Sequence, residues 1–202
     1  MTTRTTARAL ALLAGAMFVA ACGGNAASTG PTQAPVTTAA PAATNDGAAS
    51  FVLPSLHANT DLEKLIPNMI GGVPIVAQSM AGQDFVSLGS DNTMAGVLTA
   101  LGKQPSDLSV AFGNNVNVII IAFQVKGVPA DQTLTALINA TKQADASTIT
   151  DASYGGKPVK KSAPADTTVD PSYVYTKDDV VYAVSGTNIT DAILNEVFSK
   201  LP

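Results

Sequence analysis

The sequence predicts an α+β domain in which amphipathic helices pack on an antiparallel sheet, and three observations carry that prediction. Val116–Val125 is apolar on both pleat faces through Val118, Ile119, Ile120, Ile121, Ala122 and Phe123, as a strand in the middle of a doubly covered sheet must be. Segments 130–144 and 190–201 repeat apolar residues at helical spacing. The spacers Gly155-Gly156 and Lys177-Asp178-Asp179 separate strand-like runs too closely for parallel crossovers, so those strands should form hairpins.

The elements follow in order from about Phe51. Thr60 and Glu63 have capping-box spacing for a short helix, Asp61 to Ile66, with Leu62, Leu65 and Ile66 on its apolar side and Pro67 as its stop. Gly71-Gly72 should turn the chain into Val73–Ala77, an edge strand because Pro74 cannot donate to a ladder. Asp91 is placed to cap a helix carrying Met94, Val97, Leu98 and Leu101, which Gly102 would terminate. Strands Leu108–Phe112 and Val116–Val125 should be joined through Gly113-Asn114-Asn115, since Gly and Asn tolerate positive φ.

A helix from Ala130 to Ala144 presents Leu134, Leu137, Ile138 and Thr141, with Asp131 favourably placed in its first turn. Thr148–Ser153 and Lys157–Ser162 form a hairpin, as do Tyr173–Thr176 and Val180–Ser185. The last helix, Thr190 to Leu201, offers Ile193, Leu194, Val197, Phe198 and Leu201 to a core. Gly71-Gly72-Val73-Pro74-Ile75 and Gly155-Gly156-Lys157-Pro158-Val159 share a Gly-Gly-x-Pro core. This suggests two related half-units, 51–144 and 145–202, sharing one antiparallel sheet within a single domain, 51–202. Gly-Gly-Lys-Pro is also ordinary turn chemistry.

Upstream of that domain the composition changes twice. Gly23–Ser50 is almost wholly Gly, Ala, Ser, Thr, Pro, Asn and Gln, with Asp46 its only charge and Val36 its only large aliphatic residue. It cannot bury enough apolar surface to offset its chain entropy and reads as a disordered tether spanning 22–50 with Cys22. Before it, Arg4 and Arg8 precede an apolar run, Ala9 to Ala21. As a helix these 13 residues would extend about 20 Å, short of a bilayer core of about 30 Å, so 1–21 reads as a cleaved secretory signal.

Val19-Ala20-Ala21-Cys22 resembles the lipobox of bacterial lipoproteins. The resemblance covers residues 1–22 and the tether's composition. It implies cleavage between Ala21 and Cys22 and a diacylglyceryl group on the Cys22 sulfur. The mature chain would then be held in a membrane on its extracytoplasmic face, firmly if two or more acyl chains are present. That membrane is the cell membrane, or an outer membrane in a cell with two. Cys22 is the chain's one cysteine, so the domain has neither disulfides nor thiol chemistry.

Without residues 1–21 the chain keeps nine lysines, no arginine and all fifteen acids, a formal charge of −6. Such a surface does not seek nucleic acid electrostatically. It also lacks arginine, the usual bidentate clamp for phosphate and carboxylate ligands.

Candidate chemistry is sparse. His57 is the only histidine, which excludes a multi-histidine metal site and leaves a surface role as its expected one. Asp178-Asp179 could pair as acids or hold a cation, but their position between two strands is ordinary turn composition. Lys157, Lys160 and Lys161 beside Gly155-Gly156 lack the phosphate-loop pattern and read as a solvated hairpin edge. Tyr173 and Tyr175 share a strand face that Tyr182 can meet across the hairpin. These three form the candidate binding face, and cross-strand packing at the edge of the core accounts for them as well.

No catalytic residues, metal ligands or cofactor site are expected. The sequence therefore points to a non-enzymatic, membrane-anchored envelope protein whose domain binds an apolar small molecule, an envelope component or a protein partner. The alternatives are an assembly accessory acting only by protein contact and a hydrolase built from inconspicuous Ser, Asp or Lys groups.

Overall fold

A computed structural model describes residues 56–88 and 93–202. The expected signal segment, Cys22, the tether and the Asp91 cap lie outside the described residues. The first half of the described chain contains α1 (Thr60–Glu63), β1 (Met69–Ile70), β2 (Val73–Pro74), β3 (Val76–Ala81), α2 (Gly82–Leu88) and α3 (Thr93–Ala100). After a 3₁₀ turn at Pro105–Asp107 come β4 (Leu108–Asn114), β5 (Ile119–Val125) and α4 (Ala130–Asp145). The second half is β6 (Thr148–Tyr154), β7 (Lys157–Ala163), β8 (Ser172–Lys177), β9 (Val180–Ser185) and α5 (Asp191–Lys200).

Seven strands form one antiparallel sheet in the order β3-β4-β5-β9-β8-β7-β6. The doubly apolar β5 is interior, as its pattern requires. Ile120 and Ala122 point into one core layer, and Ile121, Phe123 and Val125 into the other. The first layer lies under α1, the turn after it and α5, through Leu62, Ile66, Leu194, Val197 and Phe198; the second lies under α2, α3 and α4, through Phe85, Leu98, Leu134 and Leu137. The fold is thus α+β, with helices on both faces of the sheet. Leu194, Val197 and Phe198 are fully buried, and each such side chain is worth about 1.5–3 kcal/mol of transfer free energy.

Several local expectations are corrected. The first helix is capped by Asn59, whose Oδ1 accepts from the Leu62 N–H at 3.1 Å, and it ends at Glu63. Glu63 is drawn away from a capping box by the Ser79 hydroxyl, which donates to it at 2.6 Å. Val73–Ala77 is not one strand. Val73–Pro74 closes a separate two-stranded hairpin with β1, and Val76 starts the true edge strand, β3. The break falls at Ile75, whose N–H donates to Asn68 O at 2.9 Å and so continues the β1–β2 register instead of joining the main sheet.

The β4–β5 turn also lies later than expected. Gly113 and Asn114 are strand residues opposite Ile120 and Ile119, and the reversal is made by Asn115, whose Oδ1 accepts from the N–H groups of Asn117 and Val118. Gly113 is required for space: a Cβ there would lie 2.6 Å from Ile75 Cγ2. Helix α2 was not anticipated, whereas α3 has the expected buried Val97 and Leu98 and ends at Gly102. There the Lys103 N–H reaches Leu98 O at 2.8 Å, the bond of a glycine-terminated helix end.

The halves 51–144 and 145–202 meet where β5 pairs with β9, in one shared sheet. Both Gly-Gly pairs close two-residue hairpins, between Ile70 and Val73 and between Tyr154 and Lys157. The first hairpin stands apart from the main sheet, and α4 and α5 cover opposite faces. A two-fold rotation exchanging β5 with β9 therefore does not bring α4 onto α5.

Candidate functional site

Period-2 alternation puts Tyr173 and Tyr175 on the same face of β8, and the β8–β9 register sets Tyr175 directly opposite Tyr182. The sequence places these rings together, but α5 covers them. Phe198 descends from α5 to meet the Tyr175 ring edge-on at 6.4 Å and to stack with Tyr154 at 6.2 Å. Tyr154 meets Tyr173 edge-on at 5.5 Å, and Tyr175 stacks on Tyr182 at 5.9 Å.

All three candidate tyrosines are buried, Tyr182 to 1 % exposure. Desolvation raises the phenols of Tyr173 and Tyr175 above the ordinary tyrosine range and pushes Tyr182 up to about 12. The Tyr175 hydroxyl donates to Pro202 O at 3.1 Å. Tyr173, Tyr175 and Tyr182 are a roofed core cluster, and the expectation of an open binding face there is corrected.

The lysines near Gly155-Gly156 do not converge. Lys157 and Lys161 lie over the rings of Tyr175 and Tyr173, with Nζ 5.7 and 5.9 Å from the centroids. Lys160, on the other face of the pleat, pairs with Asp151. Asp178 occupies the two-residue β8–β9 turn at φ 56° and pairs with Lys177 at 3.1 Å, while Asp179 accepts from Gln124. Among the described residues no group of three or more His, Cys, Asp or Glu side chains is placed to hold a metal ion.

His57 belongs to a cluster that the sequence did not disclose. Its Nδ1 lies 3.0 Å from Glu63 Oε1, and the same carboxylate accepts from the fully buried Ser79 hydroxyl. Ser79 Oγ in turn accepts from the Asn59 N–H at 2.7 Å. The Ser79 hydrogen bond, followed by His57, outweighs desolvation and holds the Glu63 carboxyl below its usual range. In a serine–histidine pair the imidazole must stand beside the hydroxyl. Here the carboxylate stands between them, so the cluster straps α1 to β3 and does not set His57 to activate Ser79.

The larger hollow, about 530 Å³, runs between α3 and α4. Gly96, Ala100, Ala136 and Ala140 give it a floor of small residues, and Thr135, Asn139 and Gln143 give it a polar rim. It lies on a flank of α4 away from the side that sends Leu134 and Leu137 to the core. Asp131 at one end already accepts from the Thr176 hydroxyl at 3.1 Å. No lysine, arginine or histidine lines this groove.

No family model, curated protein or solved structure matches the chain. No helix among the described residues is long and apolar enough to cross a membrane. The spacing of Thr135, Asn139 and Gln143, with Ala136 and Ala140, was the available sequence signal for the groove: a second stripe on the helix, opposite the core stripe.

Proposed function

We propose that this chain is a lipid-anchored envelope protein whose domain binds a neutral, mostly apolar partner at its surface and performs no catalysis. The anchor rests on the Val19-Ala20-Ala21-Cys22 motif and the polar tether after it. The binding role is carried by the α3–α4 groove, whose volume of about 530 Å³ is within the span of about 300–1,000 Å³ common for ligand sites. The core layers are filled by large side chains, including Tyr182 and Phe198, whereas the groove is open along a helix. That geometry favours an extended envelope component or a protein segment over an enclosed small molecule.

A second reading, an assembly accessory working by protein contact alone, draws on Val76 and Val116. Both are largely exposed, and Asn114, the partner of Val76, is two residues from Val116.

Native mass spectrometry of the full chain, extracted from source-cell membranes in mild detergent, tests the first reading. The expected result is a reproducible extra mass that denaturation removes and that an Ala136→Trp variant, with its groove filled, does not carry. A chain without extra mass, or an adduct retained by Ala136→Trp, would overturn the groove as the site.

A further inference from the structure

Three stretches of the chain, 65–83, 108–125 and 180–190, contain no Asp, Glu, Lys or Arg. The sheet register gathers one end of each. Val76, Asn114, Ile119 and Ser185 form a row across β3, β4, β5 and β9, and past that row lie the β1–β2 hairpin, the β4–β5 turn and the exit from β9. At the other end of the same strands stand Asp107, Lys126 and the Lys177-Asp178-Asp179 turn. The charges around these strands are thus sorted to one end.

The uncharged segments are fastened into one surface. Asn115 Nδ2 donates to Ile70 O and Val73 O at 3.0 and 3.2 Å, which ties the hairpin to the turn. Gly186 approaches the same turn so closely that a Cβ would lie 2.5 Å from Asn117 O. Solvent meets aliphatic side chains here: Val116 is 86 % exposed, Val76 72 % and Met69 46 %, and Met69 faces the exposed Pro74 across the hairpin. Glu196 and Lys200, which hold the hairpin from α5, neutralise each other at 2.7 Å. Acids return at Asp166 and Asp170, in the connection before β8.

An exposed apolar patch marks contact with a protein or a membrane. Protein hot spots draw on Trp, Tyr and Arg; the three stretches hold no Trp or Arg, and their one tyrosine, Tyr182, is buried. Exposed aliphatic groups among neutral amides and hydroxyls instead enter a lipid headgroup layer without taking a charge out of water. Without residues 1–21 the chain has a formal charge of −6, which anionic lipids repel, so the uncharged end is the favoured approach. We infer that this end of the sheet rests in the headgroup layer of a phospholipid bilayer, with Val116 and Val76 as its inserted side chains. The inference rests on the anchored reading above, because an anchor raises the local concentration enough for a shallow contact to hold.

The chain has no tryptophan, so a single introduced one reports its own surroundings. Val116→Trp, with Lys126→Trp at the opposite end of β5 as reference, is attached as the full chain to mixed phosphatidylcholine–phosphatidylglycerol vesicles brominated on the upper acyl chain. Attachment is through Cys22, by its own acyl chains or, in a chain whose intact mass shows none, by coupling the thiol to a maleimide lipid. A missing acyl mass thus counts against the anchor and leaves the membrane contact testable. Bromine should quench Val116→Trp about twofold or more and Lys126→Trp by less than about a tenth, as burial of about 5–10 Å into the interface requires. Adding Val76→Asp should remove most of that quenching, which separates the surface from tryptophan's own liking for interfaces. Urea midpoints report that each variant is folded. Equal quenching at both positions, none at either, or quenching that Val76→Asp leaves intact would overturn the inference. A blue shift of Val116→Trp that grows with surface density but escapes bromine would assign this end to protein contact and overturn it equally.

Discussion

Gly155 and Asn195 are joined by a hydrogen bond of 2.9 Å from the glycine N–H to the asparagine Oδ1. The next residue of α5, Glu196, accepts from the Gly71 N–H at 3.1 Å. Two hairpin turns from different halves of the chain are thus read by adjacent positions of one helix. This shared seat on α5 gives the two Gly-Gly motifs a common structural role despite their different sheets.

At Gly155 an added Cβ would sit 2.3 Å from Ser199 N at a φ of 57°, whereas at Gly156 it would meet nothing, at a φ of 78°. Gly155→Ala should therefore cost the backbone strain plus overpacking, about 2–5 kcal/mol together, and Gly156→Ala only the strain of about 1–2 kcal/mol. Urea unfolding of the two variants checks the order. Equal losses would mean that the turn does not touch α5 as described.

Phe198→Ala should lower stability by about 3–5 kcal/mol, the usual cost of emptying a buried phenyl site. It should also admit water to the tyrosines, so that spectrophotometric titration finds Tyr182 falling from about 12 towards the ordinary value near 10. An unaltered titration would show that Phe198 is not their cover.

Alkali should unfold the domain through the same cluster. Tyr182 has its folded pKa raised from 10.0 to about 12 by burial, so its contribution is fully present below the unfolded value and is lost as pH rises from about 10 to about 12. Denaturation midpoints measured across that window should fall steadily, and Tyr182→Phe should flatten the slope. A slope unchanged in Tyr182→Phe would place the alkaline sensitivity elsewhere.

Ser79→Ala removes the donor that holds Glu63 and the acceptor used by Asn59. The expected loss is about 1–3 kcal/mol at neutral pH, from polar groups left without partners. Because the Glu63 pKa is lowered in the folded chain, its contribution is present above the unfolded value and lost as pH falls through the folded one. The variant should consequently show a shallower acid-side decline in stability, measured by denaturant titration at several pH values.

Cys22→Ser should shift the chain from the membrane fraction to the soluble fraction and abolish incorporation of labelled fatty acid, since a hydroxyl cannot take the thioether link. Fractionation unaffected by the change would remove lipidation as the anchor.

The parts of the fold legible in the sequence were those whose pattern is local. β5 disclosed itself through Ile119–Phe123, and α4 and α5 through their apolar stripes. Helix α2 did not, because it begins at Gly82, a residue of poor helix propensity selected by close approach. A Cβ there would lie 2.3 Å from Pro105 O, a contact that local pattern does not encode. The tyrosines show the same boundary. Alternation fixed that Tyr173 and Tyr175 share a side, but what covers that side is Phe198, which lies 23 residues beyond Tyr175.

Helix α5 holds Gly71 from 125 positions earlier in the chain, and Pro202 O accepts from Tyr175. Synthesis proceeds from the N-terminus, so the piece that locks both hairpins is made after both of them. A chain interrupted anywhere before about residue 198 has no Phe198 to close the tyrosine layer. Closure of the tyrosine layer therefore waits until α5 has been made, and copies ended before it are left open to proteases.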